Sequence, residues 1–135
     1  MKVVLDTNVI IAAFATRGLC AELLKVCLTK CEIILSDYIL SEVEEKLINK
    51  IHLPSKIVQE ILDFLREHAQ VVKPEAVSIP LLKDKEDLPV IGTALAGNAL
   101  FLITGDKELL DLQKYEDIEI LSPREFWEKL QKKPV

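Results

Sequence analysis

Aromatic residues make up only 5% of this 135-residue sequence. A core without large rings has to be aliphatic, built from Leu, Ile, Val and Ala, and the 50% hydrophobic composition supplies enough of them for one compact domain spanning residues 1–135. No apolar run approaches the roughly 20 residues that cross a bilayer. The opening Met-Lys leads at once into a strand-like run with an aspartate in it, which is not the pattern of a signal peptide. The expectation is a soluble, cytoplasmic protein with no membrane partner.

Cysteine is also sparse. Cys20, Cys27 and Cys31 are an odd number and cannot all pair with one another. Their spacings of seven and four place them along one face of a helix. Zinc sites show closer Cys-x2-Cys pairs with further ligands, and the only histidines, His52 and His68, are not grouped with them. Small buried apolar side chains in a reducing compartment are the expected use. An excess of basic charge is missing too: the net charge is −5. A surface that grips nucleic acid along its whole extent is therefore excluded. Two local lysine strips remain, Lys46, Lys50 and Lys56 in "KLINKIHLPSK" and Lys129, Lys132 and Lys133 in "KLQKKPV", which solvated helix faces explain equally well.

The pattern that is present alternates strands with helices. "KVVL" (2–5) reads as a first strand, followed by a helix over 8–30 with a break near Gly18. "EIIL" (32–35) is a second strand. Ser36 then caps a helix through Lys50, with Ile39, Leu40, Val43 and Leu47 on one side. A third helix covers 55–69 and a third strand 70–73. A charged loop with two prolines follows (74–87). A small-residue helix from Leu88 to Asn98 ends near Gly97-Asn98. "ALFLI" (99–103) is a buried strand, a helix starts near Lys107, and "IEIL" (118–121) is the last strand. "SPRE" (122–125) combines a serine cap, a first-turn proline and a glutamate three residues after the cap. This alternation predicts an α/β protein with a mostly parallel central sheet covered on both faces. Ligands in such sheets bind beyond the carboxyl ends of the strands, where strand order reverses.

Acids stand at those ends. Asp6 follows the first strand, where an ionised carboxylate loses hydration worth several kcal/mol unless it finds a partner. Asp106 follows "FLIT" and shares an edge with Asp6 if their strands are neighbours. Asp87 heads the stripe Asp87, Ile91, Ala94 and Asn98 of the small-residue helix. Glu42 flanks the apolar face of its helix, but so does Glu44, and periodicity does not choose between them. Helix capping is the plain alternative for Asp87 and Asp106. Converging carboxylates raise one another's pKa unless a cation joins them. A site made only of oxygen donors suits Mg²⁺ or Mn²⁺. Four acids in one metal pocket would account for most of the net charge of −5, so the acidity no longer argues against a phosphate-bearing substrate. Such a centre supports hydrolysis of a phosphate ester. Asn8 and Thr104 flank the acids and are placed to orient water or a carboxylate.

The stretches "VVLDTNVIIAAF", "SDYILSEVEEKL", "DKEDLPVIGTALAGNALFLITGDKELL" and "ILSPREFWEKL" resemble, in order and over nearly the whole chain, the PIN-domain family, and within it the VapC-like toxins of toxin–antitoxin systems. The resemblance implies a three-layer α/β/α Rossmann-like fold and a Mg²⁺- or Mn²⁺-dependent ribonuclease. Carried over position by position, it assigns Asp6, Glu42, Asp87 and Asp106 as catalytic and metal-holding acids, so that Glu42 is chosen over Glu44. Asp84, the first member of an Asp-x-x-Asp pair with Asp87, stands with Asn8 and Thr104 in an auxiliary role. RNA as substrate, an antitoxin protein and a homodimer are the implied partners, with the amphipathic segments 36–50 and 54–69 as candidate surfaces. "DKEDLPV" departs from the family, which often has a proline after the first aspartate. Two other readings stand beside this one. A haloacid-dehalogenase-like phosphatase would use Asp6 as nucleophile, but its general acid would fall on Asn8, which cannot transfer a proton, and Lys83 is the nearest candidate for its lysine. A non-catalytic binding module on the same fold is the other.

Overall fold

The computed structural model describes residues 1–80 and 82–132. Leu81 of the proline-containing loop and Lys133 of the basic tail lie outside the described residues. In chain order the elements are β1 (Lys2–Leu5), α1 (Thr7–Ala15), α2 (Leu19–Lys30), β2 (Glu32–Ser36), α3 (Asp37–Asn49), α4 (Ser55–His68) and β3 (Ala69–Val72). A 3-10 turn (Lys85–Asp87) then leads into α5 (Leu88–Ala96), β4 (Phe101–Ile103), α6 (Lys107–Leu112), β5 (Lys114–Tyr115), β6 (Ile118–Leu121) and α7 (Pro123–Gln131).

The six strands form one sheet in the order β3-β2-β1-β4-β6-β5, parallel throughout except for the β5–β6 pair. Val3, Val4 and Leu5 are consecutive and all buried. Successive side chains on a strand point to opposite faces, so helices must cover both sides of the sheet. The result is the expected three-layer α/β/α arrangement. One layer contains α5, which packs across β1, β2 and β4; elsewhere α1 packs on α2 and α3, α4 on α3, and α2 on α7. The core is aliphatic apart from the Phe101–Phe126 ring pair, whose centroids are 5.4 Å apart. Cys27 is buried in it, and among the described residues no disulfide joins the three cysteines. Hydrogen bonding to Cys31, together with burial, pushes the Cys27 thiol pKa upward. Among the described residues no helix is long and apolar enough to cross a membrane.

Local chemistry explains most boundaries. The Ser36 hydroxyl accepts from the Ile39 N–H at the start of α3, and Ser122 and Glu125 form a reciprocal capping box at the start of α7. The helix expected over 8–30 is two helices. It starts one residue earlier, at Thr7, and is interrupted at Thr16–Gly18, where the Thr16 backbone turns extended. The helix beginning at Leu88 closes at Gly97, and Asn98 follows with φ +54°, a conformation asparagine tolerates. The β5 strand was not expected. It is two residues long, set between Gln113 and Glu116, which both have positive φ, and is too short to show a period.

The chain runs outward from β1 to β2 to β3, then crosses back to place β4 on the other side of β1. Strand order therefore reverses between β1 and β4. Leu5 pairs with Ile103 at the last position of both strands, and the Asp6 N–H donates to the Ile103 carbonyl at 2.9 Å. The residues that follow these two strands are thereby held side by side.

A candidate metal centre at the carboxyl edge of the sheet

Asp6 is 5% exposed and fully engaged. One carboxylate oxygen accepts from the Thr7 N–H at 2.7 Å, capping α1. The other accepts from the Thr104 hydroxyl at 2.7 Å and from the Asn8 amide at 3.4 Å. Burial raises its pKa, and the charges of Glu42 and Asp106 add to this, while the Thr104 and Thr7 hydrogen bonds oppose it.

Asp106 sits across the strand switch. Its carboxylate accepts from the N–H groups of Glu108 and Leu109 at 2.8 and 3.3 Å, so the capping role that its position allows is real. Its own N–H donates to the Thr104 Oγ1 at 3.0 Å. Asn8 completes the local lattice by accepting from the Gly105 N–H at 3.0 Å.

Glu42 and Glu44, which periodicity does not separate, point in different directions from α3. Glu42 turns to the cleft, where its Oε1 accepts from the Thr7 hydroxyl at 2.9 Å. Glu44 points to α4 and accepts from Gln59 at 2.8 Å. Tyr38, one turn before Glu42, donates its phenol to the Glu86 carbonyl at 3.1 Å and lies 3.4 Å from Glu42 Oε2. It thereby ties α3 to the turn that carries Asp87. The Thr7 and Tyr38 contacts were not anticipated. Their only sequence signal is adjacency, to Asp6 for Thr7 and at helical spacing to Glu42 for Tyr38.

Asp84 and Asp87 divide their tasks. Asp84 caps the 3-10 turn by accepting from the Glu86 N–H at 2.9 Å. Asp87 makes no capping bond at the start of α5. It is 6% exposed, and its Oδ2 is buried with no hydrogen-bond partner among the described residues. Its carboxyl pKa is pushed up to about 7, first by burial and then by Asp106, Asp84, Asp6 and Glu108. A buried polar atom left without a partner costs about 1–3 kcal/mol, and more when charged.

The structure thus brings Asp6, Glu42, Asp84, Asp87 and Asp106 to the wall of one cleft of about 90 Å³, with Asn8 beside them. Thr104 lies beneath it, buried, bonded to Asp6. Among the described residues no three of these side chains already close around a single point as a finished metal cluster. Asp6, Asp84 and Asp106 each use an oxygen on backbone N–H groups, and Glu42 accepts from Thr7. The donor set nonetheless fits a hard divalent cation: every ligand atom is oxygen, and the orphaned Asp87 Oδ2 lacks only a positive partner.

The PIN domain family matches the chain over residues 2–108. No curated protein matches it by sequence. Solved structures share the fold, two of them as follows. A chain of VapBC2 from Rickettsia felis, bound to a DNA fragment from their promoter, is 16% identical, with a TM-score of 0.64 over 90% of this chain and 98% of that one. A chain of VapBC-1 from nontypeable Haemophilus influenzae is 21% identical, with a TM-score of 0.64 over 92% and 99%.

Proposed function

This chain belongs to the PIN-domain family, and we propose that it is a divalent-metal-dependent endoribonuclease acting as the toxin of a toxin–antitoxin pair. The observation that carries the proposal is the unpartnered, buried Oδ2 of Asp87 in a cleft shared with Asp6, Glu42 and Asp106. Four mutually repelling acids at a sheet edge destabilise a fold unless a cation uses them.

Asp6, Glu42, Asp87 and Asp106 are the residues that would hold Mg²⁺ or Mn²⁺. The ion supplies activation of water and neutralisation of charge on the phosphate. Thr104 and Asn8 fix the orientation of Asp6, and Thr7 holds Glu42. Asp84 shapes the turn that presents Asp87. Water attacks an RNA phosphodiester in line, leaving 5′-phosphate and 3′-hydroxyl ends. That the two structural relatives come from VapBC2 and VapBC-1 supports an antitoxin partner. A homodimer is proposed to extend the RNA-holding surface, since the chain itself carries a net charge of −5. Cytoplasmic RNA is the substrate pool this reading requires.

Asn8 stands where a haloacid-dehalogenase-like phosphatase needs its general acid, and it is occupied with Gly105 and Asp6. Nothing at the site favours that reading. The test is cleavage of a mixed-sequence single-stranded RNA by wild type, Asp6→Asn and Asp106→Asn. Cleavage in Mn²⁺, its loss in EDTA and in both variants, and 5′-phosphate products are expected. Equal cleavage in EDTA, or by Asp6→Asn, overturns the proposal.

A further inference from the structure

The cleft that gathers the acids has room for a few water-sized groups and not for a nucleotide. A substrate chain presenting one phosphate to it must continue along the surface. A groove of about 430 Å³ runs from its mouth along α3, lined by Tyr38, Ser41, Glu42, Glu45, Lys46 and Glu86. Glu42, Lys46 and Glu86 line both cavities, so they mark the threshold between them.

Lys46 is one helical turn beyond Glu42 and half-buried. It is the one cation lining the cleft among the described residues, and it takes part in none of their ion pairs. Lys85, on the neighbouring turn, instead directs its ammonium to the Leu82 carbonyl at 3.4 Å. A lysine in a ring of carboxylates would ordinarily be drawn into an ion pair. Its free ammonium at the threshold is suited to an anion arriving from outside.

Resting on the ribonuclease reading above, we propose that Lys46 is a substrate-contacting residue that binds one phosphate of the RNA at the mouth of the acid cleft. The groove beyond it carries Glu45 and Glu86 and repels a second phosphate. It is suited to the sugar and base of the adjoining nucleotide, whose 2′-hydroxyl and amino groups donate to carboxylates. Lys46 therefore makes a single phosphate contact.

Binding of a fluorescein-labelled single-stranded RNA of mixed sequence, followed by anisotropy in Ca²⁺ across a salt series, tests this for wild type, Lys46→Gln and Lys46→Arg. Each phosphate neutralised on a single strand contributes about 0.7 to the slope of log K against log salt. Lys46→Gln is expected to weaken binding several-fold and to reduce the slope by about that amount, with Lys46→Arg close to wild type. The same Lys46→Gln variant should bind Mn²⁺ at least as tightly as wild type, because a positive charge has left the cleft; a general structural defect would weaken both ligands. RNA binding with an unchanged slope and Kd in Lys46→Gln overturns the Lys46 contact alone. A wild type that binds no RNA overturns the ribonuclease reading and this contact with it.

Discussion

The Thr104 hydroxyl donates to Asp6 Oδ2 at 2.7 Å and accepts from the Asp106 N–H at 3.0 Å, so one buried side chain orients acids from two neighbouring strands. Thr104 and Asp6 are 98 residues apart in the chain and are brought together because Leu5 pairs with Ile103. Replacing Thr104 by Val keeps the volume and removes both bonds. Urea unfolding should show a loss of about 1–3 kcal/mol, the cost of leaving buried polar partners unpaired. Thr104→Ser should retain most of the stability. A Thr104→Val variant as stable as wild type, with the loss falling on Thr104→Ser instead, would place the role of Thr104 in its methyl group.

The pKa values of Asp6 and Asp87 are both raised in the folded protein, the latter to about 7. Such a group binds its proton more tightly when folded than when unfolded. For Asp87 that stabilising contribution is complete below the unfolded carboxylate pKa of about 4 and is lost as pH rises through the folded value near 7. In EDTA, the melting temperature should therefore fall between pH 5.5 and pH 8. Saturating Mn²⁺ should weaken or reverse that trend, because the cation and the proton compete for the same oxygens.

Asp87→Asn removes a buried charge at a position with no partner for Oδ2. In EDTA at pH 8 the variant should melt no lower than wild type. It should also lose most of the stabilisation by Mn²⁺, which for wild type reaches about 2.7 kcal/mol at a hundredfold excess over Kd. Differential scanning fluorimetry with and without the ion reads both effects. A variant that melts lower in EDTA yet keeps its Mn²⁺ response would show that Asp87 is structural.

Gly92 on α5 has no side chain, which allows the backbone at Glu75 to lie against the helix: the Glu75 N–H donates to the Gly92 carbonyl at 3.0 Å. A Cβ at Gly92 would come within 2.2 Å of the Glu75 carbonyl oxygen. Gly92→Ala should cost about 1–3 kcal/mol or more in chemical denaturation. Wild-type stability would mean that the backbone at Glu75 shifts freely.

Much of this was readable from the residues because the signals are local. An aspartate closing a β-former run, a Ser-Pro-Arg-Glu capping box and the Thr-Gly-Asp turn each declare themselves within a few positions. The alternation of elements fixed the fold class, and the resemblance extended it to the family. The remainder depends on tertiary placement. Thr7 reaches Glu42 across 35 positions and Tyr38 reaches Glu86 across 48, distances at which no period carries information. The choice between Glu42 and Glu44 turned on which side of α3 meets α1 and which meets α4. Asp106 both caps a helix and lines the cleft, so neither expectation for it excluded the other.

The most direct test of the metal centre is a Mn²⁺ titration followed by the electron paramagnetic resonance signal of the free ion, for wild type, Glu42→Gln and Glu44→Gln. The two glutamates share a helix and differ in direction, one facing the acid cleft and the other Gln59. Wild type and Glu44→Gln should remove Mn²⁺ from solution with the same affinity, and Glu42→Gln should bind it much more weakly. A wild type that leaves the free-ion signal unchanged, or a Glu44→Gln variant as impaired as Glu42→Gln, would contradict a metal centre built on Asp6, Glu42, Asp87 and Asp106.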